Sequence, residues 1–346
     1  MRDLVITGAN CVTAVGHDGP MTAASVRAGI SRFADYDDYR DDSDNPITVA
    51  RIRGIHDGWE TPQRLAGIAA MCLEHRLDEY FRRGAYKPSQ IHLLLGVAAE
   101  ERPGPRYEES CLLPLRGIIE DRTEKPDCQV LSRGNASMMY ALEQAGRLIE
   151  GNPGAVCIIG GVDSLIRTST LNWFEQKARL KSASYGRHQA LIAGEAIGFL
   201  IVEDREGAEQ GGRPILVRVA GLGLAEDPVP RASGALGRNS GLTEACHAAL
   251  HGLEEKEIRA VFNDLNGENS RAREWGMADM RCFDNPDENR RLWTPANCYG
   301  DIGAASGVVL ATIATQGFSR GWLPSSVLVS CSDDHGSCGA LILEKV

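Results

Sequence analysis

The ten cysteines of this 346-residue chain include no Cys-x-x-Cys pair, which argues against a zinc site or a disulfide framework. Cys72, Cys157 and Cys331 sit inside apolar runs and read as reduced, buried thiols of a cytoplasmic protein. Long hydrophobic runs are missing too. The most apolar stretches, 155–162 and 307–314, fall well short of the ~20 residues a membrane helix needs. After Met1, Arg2 and Asp3 the apolar run breaks at Asn10 and Thr13, so no targeting segment is expected. Positive charge is in deficit. Against 47 Asp and Glu stand 37 Lys and Arg, a net charge of -10, which makes nucleic acid and anionic membranes poor partners. The acidic run from Asp35 to Asp44 is expected to be a solvated loop.

What is present is a strand, a sharp turn and a helix. Ser132-Arg133-Gly134-Asn135-Ala136-Ser137 follows a short strand, expected to be buried, from Cys128 to Leu131. It precedes Met138, Met139, Leu142, Ala145, Leu148 and Ile149 at helical spacing. The chain is expected to turn at Gly134 and enter the helix at about Asn135. Unsatisfied N–H groups at such a helix start stabilise negative charge, so many folds display a nucleophile there. The residue in that seat is Asn135, and an amide is a poor nucleophile.

The elements around this unit repeat. The first half predicts strands at 4–7, 91–97, 128–131, 155–160 and 196–202, with helices at 21–28, 62–83 and from Asn135. Segments 32–59 and 102–126 read as irregular. A polar, glycine-containing linker at 203–214 follows. The second half predicts strands at 215–219, 258–262, 326–330 and 339–343, helices at 242–253 and 303–315, and an irregular excursion at 264–297. Strand 91–97 corresponds to 258–262, and the Asn135 helix to the Gly303 helix. Continuous apolar strands between helices imply sheets covered on both faces. The expected units are residues 1–205 and 213–346.

Along nearly its whole length the chain resembles the thiolase superfamily, and within it the β-ketoacyl-ACP synthases. Val5-Ile6-Thr7-Gly8 with Val15-Gly16 is similar to the ketosynthase opening, and Gly160-Gly161-Val162-Asp163 to its GGAE turn. Gly194-Glu195-Ala196-Ile197-Gly198-Phe199-Leu200-Ile201-Val202-Glu203 resembles the GEGAGVLVLE strand. Gly300-Asp301-Ile302-Gly303-Ala304-Ala305-Ser306-Gly307 resembles the GHtxGAAG segment. The resemblance implies an α/β fold, a five-layered α/β/α/β/α sandwich of two duplicated halves.

It also implies a catalytic cysteine that takes the acyl group as a thiolate, and two histidines that assist decarboxylation and hold the thioester carbonyl. The matching positions are Asn135 (with Gly134 the near alternative), Asp264 and Asp301, so all three residues are replaced. The gating loop matches Asp333-Asp334-His335-Gly336-Ser337-Cys338 and is polar. Asp in place of His sets an acceptor where an oxyanion needs a donor. Condensation is therefore not expected, and neither a cofactor nor a metal.

His335, beside Asp333 and Asp334, remains as an acid–base candidate, and Cys338 as a thiol; Cys331 reads as packing. Purely structural roles compete. Asn135 and Asp301 can cap their helices. Asp264 and Glu268 can pair with Arg271 or Arg273 instead of a cation. Residues 271–275 make either a recognition patch or a segment folded over the cleft.

The expected function is that of a catalytically degenerate β-ketoacyl synthase-like adaptor, chaperone or partner subunit. Segment 264–275 resembles the thiolase-like accessory proteins encoded beside type VI secretion VgrG and PAAR-effector genes, which implies an effector or its loading machinery as partner. Two alternatives stand beside it. One is an acyltransferase or 3-oxoacyl-ACP synthase-type enzyme rearranged around His335 and Asn135. The other is a chain-length-factor-like subunit. The resemblance also implies a homodimer through the Cys128-Leu131 strand, or a heterodimer with a related ketosynthase subunit.

Overall fold

The structure is a computed structural model that describes residues 3–59, 61–83, 90–123, 125–184, 187–235, 237, 240–253, 258–283, 290–323 and 325–346. Its strands are β1 (Leu4–Thr13), β2 (Ala34–Arg40), β3 (Pro46–Ala50), β4 (Gln90–Val97), β5 (Asp127–Ser132), β6 (Ala155–Ser164), β7 (Ala193–Asp204), β8 (Val217–Glu226), β9 (Ile258–Asn263), β10 (Arg291–Trp293), β11 (Ser326–Ser332) and β12 (Ser337–Lys345). One half runs in the order β1-β7-β6-β4-β5, the other β8-β12-β11-β9-β10. Pairing repeats with the order. β4 is parallel to β5 and β6, while β7 is antiparallel to β6 and β1. Likewise β9 is parallel to β10 and β11, while β12 is antiparallel to β11 and β8. β1 meets β8 only at Val5–Arg218 and Ile6–Val217.

The helices are α1 (Gly19–Arg27), α2 (Thr61–Arg83), α3 (Glu108–Glu120), α4 (Ser137–Gly151), α5 (Thr168–Glu175), α6 (Arg205–Gln210), α7 (Gly241–Leu250), α8 (Asn269–Cys282), α9 (Ala296–Tyr299) and α10 (Ser306–Ser319). α2 and α3 pack on the outer face of the first sheet, through Leu65, Ile68, Leu115 and Ile119 against Phe199 and Ile201. α7 and α8 cover the outer face of the second, through Leu242, Ala245, Trp275 and Ala278 against Leu328 and Ile342. α4 and α10 lie between the sheets in the largest core. That is the expected five-layered α/β/α/β/α order. The middle layer tolerates no bulk. A Cβ on Gly307 would stand 2.8 Å from Met138 Cβ, and one on Gly339 2.6 Å from Met139 Cβ.

Several segments are more regular than their sequence. β2 and β3 form a hairpin inside 32–59; Asp35, Asp37 and Asp38 face water while Tyr36 and Tyr39 pack inward. Asp41, expected in a solvated loop, is buried in the turn, where it accepts from the Ser43 and Asn45 N–H groups and from Ser184 Oγ. α3 lies inside 102–126 despite Pro114, because Cys111, Leu115 and Ile119 align on one buried face. α8 and β10 lie inside 264–297; residues 284–289 of that stretch are outside the described residues. α8 was hidden because its buried face carries Arg271 and Glu274 beside Trp275, Ala278 and Cys282. The 203–214 segment is no loose tether. Asp204 caps α6 through the Gly207 N–H (2.6 Å), and buried Arg213 pairs with buried Glu203. β5 is an edge strand, partly exposed rather than buried. No described helix is long and apolar enough to cross a membrane.

Candidate functional site

Two matching turns build the site. Residues 134–136 and 303–305 each form one 3-10 turn ahead of α4 and α10. Each opens on a glycine with positive φ, +51° at Gly134 and +52° at Gly303, a region that costs other residues energy. Space forbids a side chain as well. A Cβ on Gly134 would stand 1.7 Å from Asp333 Oδ2, and one on Gly303 2.0 Å from Asp163 Oδ2. The carboxylates are exchanged between halves. Asp333, after β11, accepts from the Asn135 N–H (3.4 Å), and Asp163, in β6, accepts from the Ala304 N–H (2.8 Å). Arg102 grips Asp163 with two bonds of 2.8 and 2.6 Å.

Asn135, Asp264 and Asp301 meet here, all buried. Asn135 Nδ2 donates to Asp264 Oδ2 at 3.1 Å, and also lies 3.5 Å from Asp301 Oδ1 and 3.4 Å from Ser306 Oγ. The side chain of Asn135 therefore points across the middle layer and does not cap its own helix. Asp301 is not the cap residue either, since Ile302 holds that position, but its Oδ1 accepts from the Gly303 N–H two residues on at 2.9 Å, while Oδ2 accepts from Asn266 at 2.8 Å. Asp264 Oδ2 accepts from Arg271 (2.8 Å) and from the Ser332 N–H (3.2 Å). Arg271 Nη2 reaches Asp301 Oδ2 at 3.8 Å. A guanidinium thus occupies the place a cation would take between the two carboxylates. Among the described residues no three His, Cys, Asp or Glu side chains are arranged to hold a metal ion.

A second layer closes the cluster. Arg179 bonds Glu268 at 2.5 and 2.7 Å and Asp334 at 2.7 Å. Arg231 bonds Glu274, Asp334 and Ser332. Segment 271–275 therefore folds over the cleft, with Arg271, Glu274 and Trp275 buried and only Arg273 of its cations exposed. The charges do not balance. Seven carboxylates (Asp163, Asp264, Asp301, Asp333, Asp334, Glu268, Glu274) face four guanidiniums (Arg102, Arg179, Arg231, Arg271). Burial lifts the Asp264 carboxyl to about 6 against the pull of Arg271 and Arg231, with Asp301 and Glu274 adding repulsion. Asp334 is equally buried, yet Arg179, Arg231 and Arg271 hold it below the ordinary carboxylate range. The cavity beside Asp264 and Asp301 measures about 10 Å³, room for at most about one water.

His335 stands at the rim. Its Nδ1 lies 3.1 Å from Asp333 Oδ1, and its ring stacks on Trp173 at 6.0 Å. Burial, the largest influence, would lower its pKa, but the bond to Asp333 together with the negative charges of Asp333, Asp334 and Glu101 outweighs it and the pKa is raised. No hydrogen bond among the described residues joins it to Asn135, Asp264 or Asp301; its link to them is Asp333 alone. Cys338 is not a reactive thiol. It is buried, and burial pushes it and Cys331 well above the ordinary range. Sequence reasoning named Asn135, Asp264, Asp301, Glu268 and Arg271 but missed Arg102, Arg179 and Arg231. Those three reach the cluster from segments far away in sequence, so no spacing marks them.

In sequence the chain matches no protein-family model and no curated protein. In structure it matches solved ketosynthases along its full length. The ishigamide ketosynthase/chain length factor shares 17% identity, with 100% of this chain and 99% of that one covered, at a TM-score of 0.80. A β-ketoacyl synthase from Burkholderia phymatum shares 16%, with 100% of both covered, at 0.73. A ketosynthase in complex with its chain length factor from Xenorhabdus doucetiae shares 15%, with 100% and 98% covered, at 0.70. The chain has the thiolase-like ketosynthase fold.

Proposed function

We propose that the chain is a ketosynthase-like or chain-length-factor-like subunit that does not condense acyl groups and acts through protein partners. The carrying observation is the buried meeting of Asn135, Asp264 and Asp301 on the Arg271 guanidinium, with space for no more than a water. On this reading Asn135 replaces the nucleophile, Asp264 and Asp301 replace the histidines, and the site serves as structure. Two of the similar structures involve a chain length factor, which supports a role as the second member of a pair. An adaptor or chaperone role, including type VI secretion effector loading, rests on segment 264–275 and is proposed beside it. Residues 1–205 and 213–346 are proposed as the duplicated units, a homodimer through β5 as the assembly, and the cytoplasm as the location.

The enzyme alternative places an acid–base role on His335. Incubation with acyl-CoA and acyl-ACP followed by intact-mass measurement tests both readings. The expected result is an unchanged mass and no thioester turnover. A covalent acyl adduct, or turnover that His335→Ala removes, overturns the non-condensing reading. Co-purification with neighbouring gene products separates a chain-length-factor role, which yields a ketosynthase, from an adaptor role, which yields an effector.

A further inference from the structure

A cavity of about 520 Å³ lies outside the buried cluster rather than at it. Among the described residues Lys177, Arg179, Arg231 and Arg273 line it against a single carboxylate, Glu268. In a chain of net charge -10 this is a local reversal of sign. The four cations differ in availability. Arg179 and Arg231 are bound to Glu268, Asp334 and Glu274 and form the floor. Lys177 is exposed; its Nζ donates to the Ala232 carbonyl (3.0 Å) and lies 4.6 Å from the Trp173 ring centre. Arg273 is exposed, and among the described residues no ion pair engages it. Two positive charges are therefore left for a ligand.

The shape says more about that ligand. The floor is closed by the Arg179 bridge from Glu268 to Asp334. Anything bound must be recognised within the groove and cannot thread onward. One wall is Ala232, Ser233, Gly234, Ala235 and Gly237. The N–H groups of the first four are already engaged, Ala232 on the Asp334 carbonyl, Ser233 on Pro230, Gly234 on Arg231 and Ala235 on Ser233 Oγ, so the small side chains leave room for a partner segment and charge sets the preference. Ser270, in the first turn of α8, lies at the same wall, where the helix field favours negative charge. The volume suits a peptide segment and exceeds the needs of a lone anion.

We propose that this groove docks an extended acidic segment of a partner protein, held by Lys177 and Arg273. The proposal rests on the partner-binding reading above and narrows it to one surface. Fluorescence anisotropy with a labelled hexaglutamate peptide and the full chain, at ~50 mM salt, tests it. Saturable binding is expected, with hexaglutamine inert and Lys177→Glu/Arg273→Glu weakening binding by roughly tenfold or more. Arg147→Glu, an exposed cation on α4, should leave binding unchanged, and all variants should keep the parent unfolding midpoint. Three results overturn the proposal: no binding of hexaglutamate, equal weakening by Arg147→Glu, or displacement by equimolar 4′-phosphopantetheine, which would make the groove a phosphate-arm site. None of these alters the acylation result, so the proposal can fail while the non-condensing reading stands.

Discussion

Arg271 is buried with its Nη1 on Asp264 Oδ2 and on the Ser332 carbonyl (2.7 Å), and it faces Asp301 and Asp334 at 3.8 and 3.9 Å. Because carboxylates already outnumber guanidiniums there, its removal leaves buried negative charge with nothing to oppose it. Arg271→Met should cost about 3–5 kcal/mol at pH 8 by urea unfolding. A loss under about 1 kcal/mol would mean the cluster is solvated and carries little structure. The same surplus sets a pH dependence. Asp264 titrates near 6 in the folded chain and near ~3.9 when unfolded. The folded state then holds the extra proton, so this group's contribution declines as pH rises from about 4 to 6. His335, raised by Asp333, contributes fully below ~6.5 and less as pH climbs through its folded value. Asp334, held low, works the other way and loses its contribution only as pH falls below the ordinary carboxylate range. The urea midpoint should therefore fall between pH 5 and 8, and Asp264→Asn should flatten the part below about 6. An Asp264→Asn profile parallel to the parent would show that this carboxyl is not the titrating group.

β5 is an edge strand. It hydrogen-bonds β4 on one side, and its other edge carries Val130, 37% exposed. An open edge with an apolar side chain invites another strand, and a second copy closes it symmetrically. Met138 and Met139, just after this strand, are fully buried in their own core. Light scattering of the parent should report a dimer, and Val130→Glu a monomer or insoluble protein, since like charges would meet across the axis. A monodisperse parent monomer at micromolar concentration removes the interface. Elements of this kind show how far the sequence was legible. β4, β6, β9 and β11 were readable because a strand buried on both faces is one apolar run. α3 and α8 were not, because Pro114 interrupts one pattern and Arg271 with Glu274 occupies the inward face of the other. Asn135, Asp264 and Asp301 were findable through their motif positions. Arg102, Arg179 and Arg231 answer carboxylates 61, 89 and 43 residues away, a relation only the folded chain creates.

Across the whole molecule, the space between the two halves is filled rather than hollow. α4 and α10 touch where Gly307 admits Met138, and β12 comes as close where Gly339 admits Met139. A gap among the described residues there, bounded by Asn263, Tyr299, Ile302 and Leu310, is about 10 Å³. Each methylene of an acyl chain gains about 0.8 kcal/mol only when it leaves water. Opening room for it would part a close-packed middle layer and draw carboxylates toward an apolar chain, where they must stay solvated or take up protons. Chain length should therefore bring no gain in affinity. Calorimetry with palmitoyl-CoA and acetyl-CoA, below the palmitoyl-CoA micelle concentration, should show no saturable difference between them. One-to-one palmitoyl-CoA binding in the micromolar range, absent for acetyl-CoA, would require an acyl tunnel that opens between the halves, and the non-condensing reading would lose its structural ground.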